Sequence, residues 1–437
     1  MRIDFPMTCT TLPSMGPQVI ARLLAGRLSY AWVTLGVIFA VIVSAVGVRA
    51  APGVLIVPLE HAFGWSNAAI SGAVSLNILL FGLIGPFTAA MMRTIGLKRT
   101  VLGSMALLVA GAGLSAFVTK IWELYLTWGV LVGIGSGTGM VGLAAAVANR
   151  WFVARRGLVI GLLAAGNASG QLVFLPILAH LATTYGWRTV PETVAVVLAA
   201  LMVVVVLLLA EGPDQVGQAP YGGTTIVKDA ADGANPFRVA FEGLGRGIKS
   251  VDFWLLSGSF AICGFSTYGL VATHLIPYCA DHGIPEVQAA GLLAAMGVFD
   301  LFGTTGSGWL TDRFDPRILL FWYYSLRGLA LFWLPFSGFG PLSLGGFALL
   351  YGLDWVATVP PTVALTTRVF GKRDAPVIVS WIFAAHQIGS AIAALGAGEV
   401  RMLTGSYVPA FVASGVACLM ASALVLRIAR QPAAVPA

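Results

Sequence analysis

Long apolar runs, broken by short polar links, succeed one another along the chain from residue 30 to residue 428. Each holds roughly 20 residues or more, enough to cross about 30 Å of hydrocarbon as a helix. The hydrophobicity is continuous rather than alternating, so the pattern predicts helices and not a membrane barrel. Twelve spans are predicted, at 30–58, 67–92, 98–118, 122–149, 156–181, 189–210, 251–280, 287–311, 317–338, 342–368, 374–398 and 406–428. Between the sixth and seventh lies one long polar stretch, Glu211 to Ser250, rich in Gly, Asp and Lys. It divides the chain into a six-helix half over 30–210, a linker over 211–250 and a second half over 251–428, with tails at 1–29 and 429–437.

Composition sharpens the class. Of 437 residues, 58% are hydrophobic and 10% charged, where a soluble domain carries about a quarter charged residues. Mean hydropathy is +0.89. The chain reads as an all-α polytopic membrane protein whose surroundings are the lipid bilayer. A net charge of +7 would suit nucleic acid on a soluble chain, but the basic residues sit in the links between spans. That clustering is a topology signal, and no nucleic-acid partner is implied. With the N-terminus in the cytoplasm, twenty of the twenty-five Lys and Arg residues fall in cytoplasmic segments, against Lys120, Arg188 and Arg401 on the other side. Both termini are therefore expected in the cytoplasm, and residues 1–29, which lack a signal peptide's apolar core and cleavage site, are read as a cytoplasmic tail. Cys9, Cys263, Cys279 and Cys418 show no metal-ligand spacing and read as small apolar fillers.

The halves echo one another. EHAFGWSNAAISG (Glu60–Gly72), after the first span, is matched weakly by DHGIPEVQAAG (Asp281–Gly291) after the seventh. The link Arg93-x-x-Gly96-x-Lys98 corresponds to Asp312-Arg313-x-Asp315-x-Arg317. Two parallel six-helix repeats are the build of a transporter that rocks about a central site. The fourth span is glycine-rich over Gly129–Gly142. It lacks the strand-to-helix context of a nucleotide loop, so close helix packing is expected there. No metal spacing, nucleophile elbow or Walker motif is present, so the sequence implies no cofactor and no enzyme.

On these motifs the chain resembles the major facilitator superfamily. G-W-L-T-D-R-F-D-P-R (Gly308–Arg317) is similar to that family's loop between the second and third helices of a half, with Asp315 where glycine is usual. The first-half copy carries Arg93 in place of the aspartate and keeps Gly96 and Lys98. N-R-W-F-V-A-R-R-G-L-V-I-G-L (Asn149–Leu162), F-G-W-S (Phe63–Ser66) and G-V-F-D-L-F (Gly297–Phe302) resemble the monocarboxylate transporter and oxalate/formate antiporter branch. The resemblance implies a major facilitator fold of two pseudo-symmetric halves, transport by alternating access, and a small organic anion, a monocarboxylate, as substrate, with coupled protons or anion exchange. It further implies that Arg93, Gly96, Lys98, Asp312, Arg313 and Arg317 gate the cytoplasmic side.

Charged residues within spans carry the candidate chemistry. At mid-membrane an ionised side chain costs about 2.5–3.5 kcal/mol on insertion scales, so it faces a cavity or a partner. Arg49 interrupts the first span in GVRAAPG (Gly47–Gly53). In the resembled family a basic residue here attracts the carboxylate; matching the two glycines puts it at Ala50, one helical step from Arg49. Arg49 is the expected anion anchor, with structural pairing or snorkelling as its alternative. Asp300 matches the family's acidic residue implicated in proton coupling, but the arginine that follows four residues later in the family is Thr304 here. An Asp300–Arg327 pair is the structural alternative, the two lying at similar depth. Asp354 and His386, both mid-span, are further proton-coupling candidates, each with a packing role as its alternative. Pro360 and Pro361 break the tenth helix beyond Asp354. Tyr268, His274, Asn77, Asn167, Gln171 and Gln387 complete the candidate substrate contacts, with His274 and Tyr278 expected to cap the cavity at its outer end. Within the same class, an exporter of apolar or cationic compounds would use Asp300 and Asp354 to meet the cation. From another class comes a non-transporting facilitator-fold receptor or assembly protein. The leading reading is a monomeric transporter of a bacterial inner membrane.

Overall fold

A computed structural model describes residues 15–23, 28–65, 67–137, 140–226 and 233–429; within these ranges the side chains of several residues, among them Arg49, Asn167 and Gln171, lie outside the described residues. Among the described residues, ten helices are long and apolar enough to cross a membrane. One of them, Pro341–Thr404, is two spans joined where Gly371 leaves helical geometry at φ 78°, a left-handed value that favours glycine. The 30-residue helix Arg156–Tyr185 adds another, which makes twelve.

We number them α1 (Tyr30–Ala50, continued past Ala51 by Pro52–Phe63), α2 (Asn67–Thr94), α3 (Leu97–Ser115), α4 (Ile121–Trp151), α5 (Arg156–Tyr185) and α6 (Thr189–Leu208). The second half follows as α7 (Val251–Asp281), α8 (Glu286–Thr311), α9 (Pro316–Trp333), α10 (Pro341–Asp354 with its continuation 359–370), α11 (372–404) and α12 (Val408–Val425).

Packing repeats with an offset of six helices, which is the physical content of the two halves. Helix α1 packs on α5 as α7 packs on α11; α3 packs on α6 as α9 packs on α12; α2 packs on α4 as α8 packs on α10. The halves meet through α5 with α8 and α2 with α11, a pair of contacts that exchange under the same offset.

One end of the bundle carries the basic links and both described termini, and we call it the basic face. There the halves are joined. Arg93, in the last turn of α2, bonds Asp374 at 2.7 Å near the start of α11. Asp312, the C-cap of α8, accepts hydrogen bonds from Gly157 N at 2.6 Å and Leu158 N at 3.0 Å, the first free N–H groups of α5. A carboxylate at a helix N-terminus is favoured by both the unpaired donors and the helix dipole. Glycines bring α5 and α8 close enough for this: a Cβ at Gly161 would fall 2.7 Å from Thr304 O and 2.9 Å from Gly308 Cα.

The linker also contributes to this face. Its helix Pro236–Gly247 starts at Asn235, whose side chain caps Phe237 N, and lies across α2 and α11. Trp381 donates Nε1–H to Ala240 O at 3.0 Å, and Phe87 packs on Phe237 and Phe241.

Candidate functional site

The tenth helix is interrupted between Asp354 and Val359, and proline chemistry explains how. Pro360 and Pro361 carry no N–H, so Val356 O and Ala357 O lose their usual helical donors four residues on. Val359 N donates to Val356 O at 2.9 Å in place of the missing donor, and side chains from neighbouring helices take the rest. Ser307 Oγ donates to Ala357 O at 2.6 Å, and the Val356 N–H, released from the helix, donates to Asp300 Oδ1 at 2.9 Å. Arg327 reaches in from α9 and donates to Asp354 O and to Trp355 O at 3.2 Å. Its Nε bonds Asp354 Oδ2 at 2.6 Å, both side chains being almost wholly buried. Tyr324 and Tyr351 flank the guanidinium at 5.8 and 5.9 Å.

The structural alternative offered by matched depth, an Asp300–Arg327 pair, is not formed; Arg327 pairs with Asp354. Asp300 instead accepts from Thr304 Oγ1 at 2.6 Å, the residue that stands where the family carries arginine. The physical reason is the break: free carbonyls attract the arginine, and a free N–H attracts Asp300.

Helix α7 is also irregular, with a π-helical stretch at Phe265–Val271. Such wide turns re-aim side chains within a helix. Gly264 and Gly269 let α7 lie directly on α11, since a Cβ at Gly264 would meet His386 O and one at Gly269 would meet Ser390 O. This places Thr267 and Tyr268 beside His386, Gln387 and Ser390.

Between the halves these elements line a cavity of about 360 Å³. Its walls come from α2, α4 and α5 of the first half and α7, α10 and α11 of the second. Phe81 of α2 meets Phe383 of α11 edge to face, 5.8 Å between centroids, and so joins the halves beside the cavity. One turn nearer the basic face, Ser380 lies against Gly85 and Gly142. His386 sits among aromatic rings, with Phe260 at 4.9 Å, Phe383 stacked at 5.4 Å and Tyr268 at 6.0 Å, and its Nδ1 is 3.1 Å from Gln387 Oε1. Among the described lining residues there is no Asp, Glu, Lys or Arg.

Of the residues singled out from sequence, Tyr268, His386 and Gln387 line this cavity. Asp300 lies directly behind its wall, bonded to the backbone of the lining residue Val356. Asp354 is withdrawn into the second half with Arg327. His274 is buried inside that half, Nε2 2.9 Å from Ala394 O and its ring against Tyr407, and Tyr278 is buried beside Phe411 rather than over the cavity. Asn77 donates to Trp128 O at 2.8 Å and so locks α2 to α4. Arg49, Asn167 and Gln171 have side chains outside the described residues.

The gating candidates divide. Arg93 and Asp312 cross between halves, as described above. Gly96 and Lys98 stay within the first half: Lys98 N donates to Glu211 Oε2 at 3.0 Å and its Nζ to Val206 O at 2.6 Å, while Gly96, at φ 109°, lies so close to the Glu211 carboxylate that a Cβ would come within 2.7 Å. Arg313 folds over the Trp309 ring at 3.9 Å. Arg317 chelates Asp315 and donates to Ile428 O at 3.1 Å. Asp315 also N-caps α9, and its hydrogen bonds to Arg317 hold its carboxyl below the usual carboxylate range, so the departure from glycine gives a charged cap.

Sequence reasoning missed Asp374, Cys263 and the aromatic lining. A signal for Asp374 existed: Arg93 in the place of an aspartate calls for an acid opposite. Cys263 accepts from Arg327 Nη1 at 2.9 Å and lies 3.2 Å from Thr358 Oγ1, contacts that no spacing reveals. The aromatics Phe81, Phe260, Trp355 and Phe383 come from four helices and are indistinguishable in sequence from lipid-facing ones.

Twelve helices in two exchanged halves, closed at one face around a central cavity, define a polytopic transporter architecture. The profile of the Major Facilitator Superfamily matches residues 37–394, and the chain belongs to that family. Among its relatives, the uncharacterized MFS-type transporter YcxA of Bacillus subtilis is 23% identical over 80% of this chain and 83% of its own. Monocarboxylate transporter 13 of Bos taurus is 26% identical over 87% of this chain and 85% of its own. In fold the chain is similar to the human organic anion transporter MFSD10, with a TM-score of 0.69 at 17% identity over 90% of this chain and 98% of that one. The fucose:proton symporter FucP in its outward conformation gives 0.65 at 14% identity over 92% and 100%.

Proposed function

We propose that the protein is a secondary transporter that carries a small organic anion, a monocarboxylate, by alternating access between the two halves. The observation that carries this is the cavity between the halves, which are joined at the basic face by Arg93–Asp374 and by Asp312 on the α5 N-terminus. Similarity to relatives named monocarboxylate transporters supports the substrate class. The first charge an arriving anion meets is Arg49, on the helix that ends at Ala50. His386 and Asp300 are the proton carriers: His386 reaches the cavity directly, and Asp300 acts on the wall through Val356 N. Cation export would require a carboxylate in the lining, whereas Asp300 and Asp354 are engaged behind it. The basic face is the cytoplasmic one, in keeping with the lysine and arginine bias of its links. The membrane is a bacterial inner membrane, and the working unit is the monomer, since the whole cavity is built within one chain.

The test uses purified protein in liposomes under an imposed pH gradient, offered labelled monocarboxylates, with protein-free liposomes as the baseline. An acid exterior should drive accumulation, and Arg49→Ala should return uptake to baseline. Uptake that survives Arg49→Ala overturns the anion anchor. Proton-driven movement of organic cations instead overturns the anion reading.

A further inference from the structure

The substrate class can be narrowed from the cavity itself, an inference that rests on the anion-transport reading above. We propose that the cavity is built for an aryl monocarboxylate, a flat aromatic body carrying one carboxylate, rather than for a two- or three-carbon acid, a dicarboxylate or a polyol.

Size is the first argument. The cavity measures about 360 Å³, within the range of sites that enclose most of an organic ligand's surface. A three-carbon acid fills only roughly 90 Å³, about three water volumes, and would leave most of the wall in contact with water. Lining chemistry is the second. Five aromatic side chains face the space, Phe81, Phe260, Tyr268, Trp355 and Phe383, drawn from both halves. Rings so placed offer stacked and edge-to-face contacts that a flat aromatic guest satisfies and a small aliphatic acid does not.

Polarity is the third, because it belongs to the second half, with a strip of it between α7 and α11, while the described first-half lining, Ile78, Phe81, Val141 and Ala164, is apolar. Cys263 and Thr267 on α7 face His386, Gln387 and Ser390 on α11. A polyol needs donors and acceptors around its whole rim, and a dianion needs more than one compensating charge, yet the described lining holds no Asp, Glu, Lys or Arg. The strip suits one carboxylate, met by Gln387 and by the His386 imidazole beside it. The acidic and basic residues behind the wall are engaged elsewhere: Arg327 and Asp354 bond each other and the α10 break, and Asp300 accepts from Thr304 and Val356 N. The rings of Phe260 and Phe383 against His386 fix where the aromatic body must lie, alongside the imidazole and between the two halves.

Because the two halves both supply rings, an aryl substrate would bridge them. Phe81 from the first half and Phe383 from the second already touch. A guest stacked on both links its own binding to their relative position, which is what a carrier requires of its cargo.

The experiment is calorimetric binding to the purified full-length protein. The ligands are benzoate, phenylacetate and indole-3-acetate, set against lactate, hexanoate and succinate, with competition for uptake in the liposome assay as a second readout. Aryl monocarboxylates should bind about tenfold tighter than lactate and hexanoate, and Phe383→Leu and Tyr268→Leu should each erase most of that preference. Hexanoate binding as well as the aryl acids overturns the aromatic specificity. Arg49-dependent lactate uptake that no aryl acid inhibits overturns this inference alone and leaves anion transport standing. Absence of binding by every carboxylate overturns the transport reading, and this one with it.

Discussion

Arg327 and Asp354 lie 2.6 Å apart in the interior of the second half, and each also tends the broken stretch of α10. Removing one partner of such a buried pair leaves an uncompensated charge and typically costs about 3–5 kcal/mol. Arg327→Ala should therefore lower the thermal unfolding midpoint in detergent sharply. The double change Arg327→Met with Asp354→Leu should recover only part of it, because Trp355 O still loses its donor, a loss of about 1–3 kcal/mol. Full recovery would show that the arginine serves the ion pair and not the backbone.

A second expectation separates structure from chemistry at Asp300. Asp300→Asn retains an oxygen to accept from Thr304 and Val356 N, so it should fold as well as the parent, while Asp300→Leu should lose about 1–3 kcal/mol. Equal thermal stability of the two variants would contradict the clamp on α10. That a carboxylate lay inside the eighth span was legible from the sequence, as was the proline break. Their meeting was not, because the partner of a released N–H is set by which helix packs opposite, and periodicity carries no such information.

Among the elements, the ends of α2 and α11 are the most informative. The first-half copy of the basic link looks degenerate by itself, an arginine standing where an aspartate belongs. Opposite it, Asp374 supplies the acid, so the charges have changed places across the contact. Arg93→Asp should disable closure of the basic face and reduce transport about tenfold or more, a loss of at least roughly 1.4 kcal/mol in the closed state. Adding Asp374→Arg should restore most of it once Arg246, which lies 3.1 Å from Asp374, is also changed to alanine. Without that third change the new arginine would face a like charge. No recovery in the triple variant would mean that the contact does not hold the face shut.

The second link was read more directly. Asp312 at the end of α8 and the glycines of α5 were both visible as motif members, though their partnership, a carboxylate on backbone N–H groups, depends on helix ends meeting in space. Lys98, Arg313 and Arg317 share the motif yet bind within their own halves. Membership in a motif placed them at the right face without saying which of them crosses it.

At the scale of the whole molecule, the twelve spans and the halves were legible because hydrophobic length and the six-helix echo are written locally. Boundaries were less so: α1 continues to Phe63 beyond its break, and α10 and α11 run nearly into one another at Gly371. The cavity was not legible, since its wall is assembled from six helices that lie far apart in sequence. The predicted topology has a direct check. In intact cells a membrane-impermeant maleimide should label Lys120→Cys and leave Lys249→Cys untouched until the cells are permeabilised. The reverse pattern would invert the assignment of the basic face.

The two contacts that join the halves at the basic face differ in kind, and this makes the junction lopsided. Arg93, Asp374 and Arg246 form a partly exposed ionic cluster, with side-chain exposures of 21%, 25% and 46%. Dissolved ions screen such a cluster, over about 8 Å at physiological ionic strength and about 3 Å at 1 M. Asp312 is itself exposed, but beneath its bonds to the α5 N-terminus the helices meet glycine to glycine, a packing contact that carries no ion pair for salt to screen. Raising ionic strength should thus part α2 from α11 while α5 and α8 stay together, so that the face swings open like a door on one jamb. Spin-label distances across the two contacts, followed from low to high salt, would register one gap widening and the other holding still.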